Sequence, residues 1–292
     1  MILIAESGST NIEWRLIYNN GVISNFSGVG INPVHMSIKN IDLVLAATFS
    51  EWYKILKSDN ILDFKNDKEL ELYYYGAGVL SEEYSLKLAS AFIKYIPNAI
   101  CHFESDILAA ARALCKNEKG IVGILGTGSN SCFYDGQKIT DTIASGGYIL
   151  GDEGSGAYMG KKLISDYIKN LMPSDLRKIF QDRYALQYSS IVKKIYHSDS
   201  PSAFLASFSK FIYEFRKIEY MSNLIHDSLS AYFIRNITSL DYKNFDVNLT
   251  GSIAWYYKDY IKIIAKESGI KIGRILQLPI DELVEYHIEK LI

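Results

Sequence analysis

Two short segments rich in glycine, serine and threonine stand between apolar runs and could bind phosphate. They are Gly8-Ser9-Thr10 and Gly126-Thr127-Gly128-Ser129. Small residues in a corner between two strands leave backbone N–H groups that an anion can approach, and the hydroxyls add donors. Either corner alone is more typical of an ordinary hairpin turn than of a phosphate site. Because each opens a domain-sized half of the chain, the pair is suited to hold a polyphosphate from both sides.

Acidic residues beside these corners suggest metal binding and proton transfer. Glu6 ends the first apolar run, where it could bind Mg²⁺ through water, because Mg²⁺ keeps several waters and takes few carboxylates. The alternative is a strand-end acid that reaches solvent. Asp106 follows the apolar segment AICHF at the start of a helical pattern, so it is either a general base or a helix N-cap. Glu104, two residues earlier, competes for the role of base.

Two further glycine-containing segments need an explanation. The segment GDEGSG, residues 151–156, places the adjacent carboxylates of Asp152 and Glu153 among three glycines. Neighbouring acids repel each other and ordered glycine costs chain entropy, so the carboxylates are expected to face specific partners. The segment NLTGS puts Gly251-Ser252 between a strand and a helix, as a helix cap or a close approach to a nucleotide. The GxxxxGKS and GxGxxG nucleotide-binding patterns do not occur in a strand-to-helix context.

The elements that must position these residues repeat along the chain. Residues 2–29 read as strand, turn, strand, turn, strand, and residues 120–139 show the same order. Aligning Gly8 with Gly128 gives an offset of 120 residues. The pattern also predicts helices over 81–95 and 105–114, a mostly helical stretch over 156–240 and helices over 253–266 and 279–288. A repeated unit at domain spacing predicts two related α/β domains.

Composition narrows the class of protein. A chain of 292 residues suits two domains, and 48% hydrophobic with 22% charged residues is typical of a globular protein. The formal net charge of −2 argues against a general nucleic-acid or membrane-surface binder. The sequence predicts neither a signal peptide nor a membrane-spanning run. A cytoplasmic location is therefore expected. Cys101, Cys115 and Cys132 lack CxxC spacing and are expected to be reduced.

Six segments in this order resemble the N-acetylglucosamine kinase and BadF/BadG/BcrA/BcrD-type ATPase family of the sugar kinase, heat-shock chaperone and actin superfamily. They are LIAESGSTNIEWRLI, the Asp106 segment, GILGTGSNSCFY, GGYILGDEGSGAYMGKKL, NLTGSIAW and GIKIGRIL. The resemblance covers essentially the whole chain, and GTGSN followed by GDEGSG is its most specific part. It implies two RNase-H-like (actin-like ATPase) α/β domains with the active site in the cleft between them. The domains would be 1–118, with the helix at 277–292 packing back on it, and 119–276.

The resemblance also implies roles for individual residues. Asp106 matches the catalytic base, Glu6 would bind Mg²⁺ through water, and Thr10 and Thr127 match threonines that contact ATP. The implied nucleotide contacts are Gly8, Ser9, Thr10, Gly126, Thr127, Gly128, Ser129, Gly251 and Ser252. The implied substrate contacts are Asn32, Asp106, Asn130, Gly146, Gly147 and Asp152.

The implied activity is ATP- and Mg²⁺-dependent phosphorylation of a primary hydroxyl on an amino sugar such as N-acetylglucosamine. Partners are then a small sugar, with no nucleic acid or membrane, and a homodimer is the default expectation. Gly146 stands where animal family members have a tryptophan, so the identity of the sugar is left open. Glu6 stands where much of the superfamily has aspartate, although the kinase branch also tolerates glutamate.

Three other functions fit the same segments. They are an ATPase that activates a dehydratase through an iron–sulfur cluster, a non-catalytic nucleotide-binding module, and a kinase for another small acceptor. None of the three cysteines lies in a context typical of an iron–sulfur cluster.

Overall fold

The computed structural model describes residues 1–8, 10–18, 21, 23–58, 69–198 and 200–290, with the backbone alone at residues 57 and 58. Ser9, a predicted phosphate contact, lies outside the described residues. Contacts between residues divide the chain into two compact units. The first unit comprises 1–113 and 279–292, and the second comprises 114–278.

Five described strands form the sheet of the first unit. They are β1 (Ile2–Ser7), β2 (Asn11–Ile17), β3 (Ile23–Val29), β4 (Glu71–Gly76) and β5 (Ile100–Ser105). Their order is β3-β2-β1-β4-β5, in which β2 runs antiparallel to β1 and β3 while β1, β4 and β5 are parallel. The carboxyl ends of the three parallel strands therefore meet at one edge.

Helices cover both faces of this sheet. They are α1 (Ile38–Ser58), α2 (Glu82–Phe92), α3 (Asp106–Cys115) and a C-terminal helix, Ile280–Glu289. Alternate side chains of the strands, including Leu3, Ala5 and Leu72, pack with Phe49 of α1 and Phe92 of α2 in one apolar core. This burial fixes the register of the strands, because a slip of one residue would turn the apolar side chains outward.

The second unit repeats this sheet. Its strands are β6 (Gly120–Leu125), β7 (Ser129–Tyr134), β8 (Ile139–Ile143), β9 (Val247–Thr250) and β10 (Ile272–Leu276). The order β10-β9-β6-β7-β8 has β7 antiparallel to β6 and β8, with β6, β9 and β10 parallel. Since the two sheets share strand order and direction, the prediction of two related α/β domains is confirmed.

Helices dominate the rest of the second unit. They are α4 (Gly147–Leu150), α5 (Gly156–Ile168), α6 (Ser174–Tyr184), α7 (Tyr188–Tyr196), α8 (Pro201–Ala206), α9 (Ser209–Glu214), α10 (Glu219–Tyr232), a π-helix (Phe233–Ile237), α11 (Ser252–Tyr256) and α12 (Lys258–Glu267). The single helix predicted over 253–266 is broken at Tyr257, whose buried side chain donates a hydrogen bond to the Ser209 carbonyl at 2.9 Å.

Cys101, Cys115 and Cys132 are all free thiols, as predicted. Within the described ranges, every helix is too short or too polar to cross a membrane.

Candidate active site

The carboxyl edge of the first sheet brings two predicted site acids together. Strands β1, β4 and β5 end side by side at Ser7, Gly76 and Ser105. Glu6 is the penultimate residue of β1, and Asp106 directly follows β5 as the first residue of α3. Ligands of open α/β sheets bind at this edge, because the chain turns away there and leaves room.

Burial gives both acids unusual proton affinities. The pKa of Glu6 is raised to about 8, mainly by burial and to a smaller extent by the negative charges of Asp106 and Glu13. Burial also raises the pKa of Asp106 to about 6, although the backbone N–H of Ile107 donates to Asp106 Oδ1 at 2.8 Å and opposes the rise. Asp106 therefore loses its proton first and is a base at neutral pH, which is the property that general-base catalysis requires.

The same pair of carboxylates fits Mg²⁺. No group of three or more His, Cys, Asp and Glu side chains in the described part of the chain is arranged to hold a metal ion. Mg²⁺, however, is commonly bound by only one or two carboxylates, with waters and substrate phosphates as the remaining ligands. Glu6 and Asp106 repel each other beside a predicted phosphate corner, and a cation would relieve that repulsion.

The C-terminal helix supports this edge from one face of the sheet. Tyr75 lies in register between Glu6 and Glu104. Its hydroxyl accepts a hydrogen bond from Arg112 Nη1 at 2.6 Å and lies 2.9 Å from Nε2 of His287 in the C-terminal helix. Burial and the nearby Arg112 lower the pKa of His287 to about 3, so this histidine is neutral and its Nε2 can accept a hydrogen bond from the Tyr75 hydroxyl.

The first phosphate corner follows β1. Gly8 N–H donates to the Asn11 carbonyl at 2.9 Å, which closes the turn into β2. The Thr10 carbonyl accepts from the N–H of Gly30 at 3.0 Å. A Cβ atom at residue 30 would collide with the Gly8 carbonyl oxygen and lie 3.0 Å from Asn11 N, so only glycine fits there.

Asn32 lies two residues beyond Gly30 and is held by its neighbours. Its side-chain Oδ1 accepts from the backbone N–H of Val34 at 3.0 Å. Because the carbonyl oxygen is engaged, the amide Nδ2 is the group left to donate to a ligand. Gly78, with φ of +85°, packs against the Asn32 amide, and a side chain there would displace it. We call Glu6, Gly8, Thr10, Asn32 and Asp106 the first half-site.

The second corner connects β6 with β7. Gly126 N–H donates to the Gly128 carbonyl at 2.9 Å. The carbonyls of Gly126 and Thr127 accept the N–H groups of Gly156 and Ala157 at 2.9 and 3.0 Å, so they cap the first turn of α5. The corner is therefore joined by backbone hydrogen bonds to the end of the GDEGSG segment and the start of α5.

Asp152 faces this corner. It is 7% exposed, and its Oδ1 accepts from the N–H of Ser129 at 3.0 Å. Burial raises the pKa of Asp152, while the Ser129 hydrogen bond opposes the rise. Gly128 packs against the carboxylate, since a Cβ there would lie 2.9 Å from Oδ1. Asp152 itself has φ of +55°, a left-handed conformation that the surrounding contacts must hold.

Glu153 does not face the corner and binds residues that are distant in sequence. Its side chain is buried, with Oε1 at 2.7 Å from Arg235 Nε and Oε2 accepting from Asn236 Nδ2 at 3.3 Å. Arg235 and Asn236 belong to the π-helix after α10, and the Asn236 carbonyl accepts from the hydroxyl of Ser131 in β7 at 2.8 Å. Glu153 thus anchors the GDEGSG segment to the rest of the second unit.

The remaining predicted residues lie around the same corner. Gly251, with φ of +111°, packs on the carbonyl of Leu125 and leaves no room for a side chain. Ser252 is exposed and begins α11. Asn130 follows the corner, and its Oδ1 accepts from Ser131 N–H at 2.9 Å.

Gly146 and Gly147 take left-handed conformations with φ of 69° and 64°. They are tied to Asp152, whose N–H donates to the Ser145 carbonyl at 3.0 Å. The second half-site comprises Gly126, Thr127, Gly128, Ser129, Asn130, Gly146, Gly147, Asp152, Gly251 and Ser252.

Each half-site depends on residues that the sequence analysis did not select. In the first unit these are Ser7, Gly30, Tyr74 and Gly78, and in the second they are Ser145, Arg235 and Asn236. The position of a serine directly after Glu6, at the end of the apolar run ILIA, is a signal that could have identified Ser7. No local pattern marks Asn236, which lies 83 residues from Glu153 in sequence.

Several solved structures are similar to this chain. The structure called "Putative N-acetylglucosamine Kinase" from Porphyromonas gingivalis has 33% identity and a TM-score of 0.90, with 100% of both chains covered. The protein of the same name from Chromobacterium violaceum has 14% identity, a TM-score of 0.77 and 98% coverage of both chains. A ROK family transcriptional regulator, a homologue of the E. coli MLC protein, has 8% identity and a TM-score of 0.52, covering 94% of this chain and 74% of that one.

The last two likenesses show the fold alone. No protein-family model matches the sequence, and no curated protein matches it. The first likeness combines one-third identity with full coverage of both chains.

Proposed function

This chain belongs to the N-acetylglucosamine kinase family of the actin-like ATPase superfamily, and from that premise we propose that it is an ATP-dependent sugar kinase acting on an amino sugar such as N-acetylglucosamine. The observation that carries the proposal is the position of Asp106. A carboxylate with a pKa of about 6 stands at the carboxyl edge of a sheet, beside Glu6 and a phosphate corner.

Asp106 is the base in this proposal. The N–H of Ile107 fixes Oδ1 at 2.8 Å and so orients the carboxylate, leaving Oδ2 to accept a proton. As the acceptor hydroxyl oxygen forms its bond to the γ-phosphorus of ATP, the bond from that phosphorus to the bridging oxygen breaks and ADP leaves. The hydroxyl proton passes to Asp106, and a base of this kind contributes about 10²–10⁴-fold to the rate.

The rest of the proposed machinery positions the reactants and stabilises charge. Phosphoryl transfer depends mainly on these two contributions. Backbone N–H groups of the two corners, together with the hydroxyls of Thr10 and Thr127, are assigned to phosphate oxygens. Glu6 is assigned to Mg²⁺, which would neutralise negative charge on the phosphates when it is bound.

Sugar recognition is assigned to both donors and acceptors. Asn32 and Asn130 each engage their Oδ1 with a backbone N–H, so each presents its amide N–H₂ to a sugar oxygen. Asp152 uses Oδ1 for Ser129 and keeps Oδ2 for a sugar hydroxyl. Such a set favours a polyhydroxylated acceptor, because a bound molecule that lacks a matching hydroxyl would leave one of these groups without a partner.

The proposal is tested by ADP release from Mg-ATP with a panel of acceptors. The panel contains N-acetylglucosamine, glucosamine, N-acetylmannosamine, glucose and N-acetylmuramic acid, with no sugar as the blank, and NMR of the product locates the phosphate. We expect strong stimulation by one amino sugar. Release that is the same with every sugar and with none would contradict the proposal and favour an ATPase or a nucleotide-binding module.

A further inference from the structure

Ser7 is a fully buried polar residue at the end of β1, between Glu6 and the first corner. Its exposed fraction is 0%, and its hydroxyl makes two hydrogen bonds to the backbone of Ile31. Ser7 Oγ accepts from Ile31 N–H at 2.8 Å and lies 3.1 Å from the Ile31 carbonyl oxygen, to which it can donate. One side chain therefore holds both polar backbone groups of the residue that precedes Asn32.

A second hydroxyl converges on the same carbonyl. Tyr74 Oη donates to Ile31 O at 2.9 Å, and both residues are fully buried. The Tyr74 ring reaches that position across Gly76, where a Cβ would lie within 3.0 Å of the ring. Buried polar groups are costly without partners, so these hydrogen bonds favour the observed position of the Ile31 backbone.

The segment fixed in this way connects two parts of the first half-site. On one side of Ile31, Gly30 N–H donates to the Thr10 carbonyl of the corner at 3.0 Å. On the other side, Asn32 is the residue assigned to the sugar. The distance from the phosphate corner to the Asn32 amide is therefore set by Ile31, and Ile31 is set by Ser7 and Tyr74.

We propose that Ser7 is a positioning residue that places the acceptor-binding Asn32 relative to the phosphate corner. The inference rests on the proposed function, since it takes Asn32 as a sugar contact. Ser7 touches neither reactant and acts through the backbone of Ile31. Alanine at residue 7 would leave the buried N–H of Ile31 without its acceptor, so the 30–32 segment would shift and Asn32 would move from the acceptor while the γ-phosphate stayed in place.

The test is a double-mutant cycle of Ser7→Ala and Asn32→Ala, with KM for the acceptor and KM for ATP measured in each protein. We expect Ser7→Ala to raise the acceptor KM about tenfold in the otherwise unchanged protein, and less than about twofold when Asn32 is already alanine, since residues that act through one contact are not additive. The KM for ATP changes by less than about twofold in both backgrounds.

The matched control is Ser228→Ala in α10. Ser228 is also fully buried, and its hydroxyl donates to the Leu224 carbonyl at 2.6 Å. It measures what the loss of a buried serine hydroxyl does without a connection to Asn32, and both KM values are expected to stay unchanged. If Ser7→Ala does not fold, Tyr74→Phe removes the other donor to Ile31 and is expected to show a smaller, equally non-additive rise in acceptor KM.

The outcomes separate this inference from the proposed function. Equal effects of Ser7→Ala with and without the Asn32 amide, or equal changes in the two KM values, would overturn the positioning role alone. A parent protein that releases ADP without dependence on any sugar would overturn the proposed function, and the positioning role with it.

Discussion

The two predicted phosphate corners have the same chain path but different surroundings. The first, after β1, packs against the Gly30–Asn32 segment and has Glu6 and Asp106 beside it. The second, after β6, is joined to the first turn of α5 and to Asp152. The first corner has room for a Cβ atom at Gly8, and the second has room at Gly126. A second glycine is tightly packed at each corner, Gly30 at the first and Gly128 at the second.

This difference suggests that the two units have different roles in the proposed reaction. The acids with large pKa shifts beside a corner, Glu6 and Asp106, belong to the first unit, where proton transfer and metal binding would occur. The second corner is built for rigidity, since its carbonyls cap a helix and its acid is held by a backbone N–H. In the proposed reaction, the same fold element would serve the chemistry in the first unit and would hold the ligands in the second.

The largest expected effect comes from Gly30→Ala, which breaks the packing of the first corner. The new Cβ would collide with the Gly8 carbonyl and crowd Asn11, so we expect a loss of about 3 kcal/mol in the free energy of unfolding. Gly8→Ala is the matched control, because its Cβ would lie 3.7 Å from the nearest atom. Urea denaturation of both variants checks this, and equal stability would show that the corner tolerates rearrangement.

The pH dependence of turnover sharpens the assignment of the base. Asp106, with a pKa of about 6, must be deprotonated to accept a proton, so kcat/KM is expected to fall about tenfold per pH unit below 6 and to level off above it. Glu104→Gln should keep this limb, because Glu104 is not assigned the proton. A profile that is flat from pH 5 to 8 would remove Asp106 from the role.

Alanine at the two glycines of the second corner separates nucleotide binding from support. Gly126 has open space around it, so Gly126→Ala should fold normally and weaken ATP binding about tenfold if a phosphate occupies that space. Gly128→Ala would press on the Asp152 carboxylate and should weaken sugar binding instead. Calorimetric titration of ATP and the sugar into each variant tests this, and identical effects would contradict the separation.

A further expected effect is a change in stability with pH. The folded protein holds the Glu6 proton up to a pKa of about 8, above the value of 4.5 in the unfolded chain. The favourable contribution is therefore present at low pH and is lost as pH rises from 4.5 to 8. Glu6→Gln lacks this loss, so at pH 9 it should be more stable than the parent by roughly 2 kcal/mol, after allowance for solvent screening.

At pH 4 the Glu6→Gln variant and the parent should have similar melting temperatures. A variant that is less stable than the parent at pH 9 would show that the Glu6 carboxylate is stabilised in its charged form, against the assignment of an unrelieved acidic pair.

Local patterns predicted much of the fold. Alternating apolar residues and glycine-rich breaks gave the strand, corner, strand repeat, and Asp106 begins α3 as the pattern indicated. The break at Tyr257 was not predictable, because it depends on a hydrogen bond to Ser209, 48 residues away. Periodicity carries no information about such a partner.

The candidate site shows the same limit. Residue types and the family resemblance selected Asp152 and Glu153, but not that they face in different directions, towards Ser129 and towards Arg235. The support given by Ser7 to Ile31 also depends on strands that are paired only in the folded chain. Sequence predicts which residues carry polar groups, whereas their partners follow from tertiary packing.

The proposal that the first unit carries the chemistry is tested most directly in the Asp106→Asn variant. ATP affinity and sugar-dependent ADP release are measured together in this variant. We predict an ATP Kd within about twofold of the parent value and turnover at least about 100-fold lower, since the base is lost while the corners remain. Turnover close to that of the parent would contradict the assignment of the chemistry to the first unit. ATP affinity that falls as far as turnover does would contradict the separation of chemistry from ligand binding.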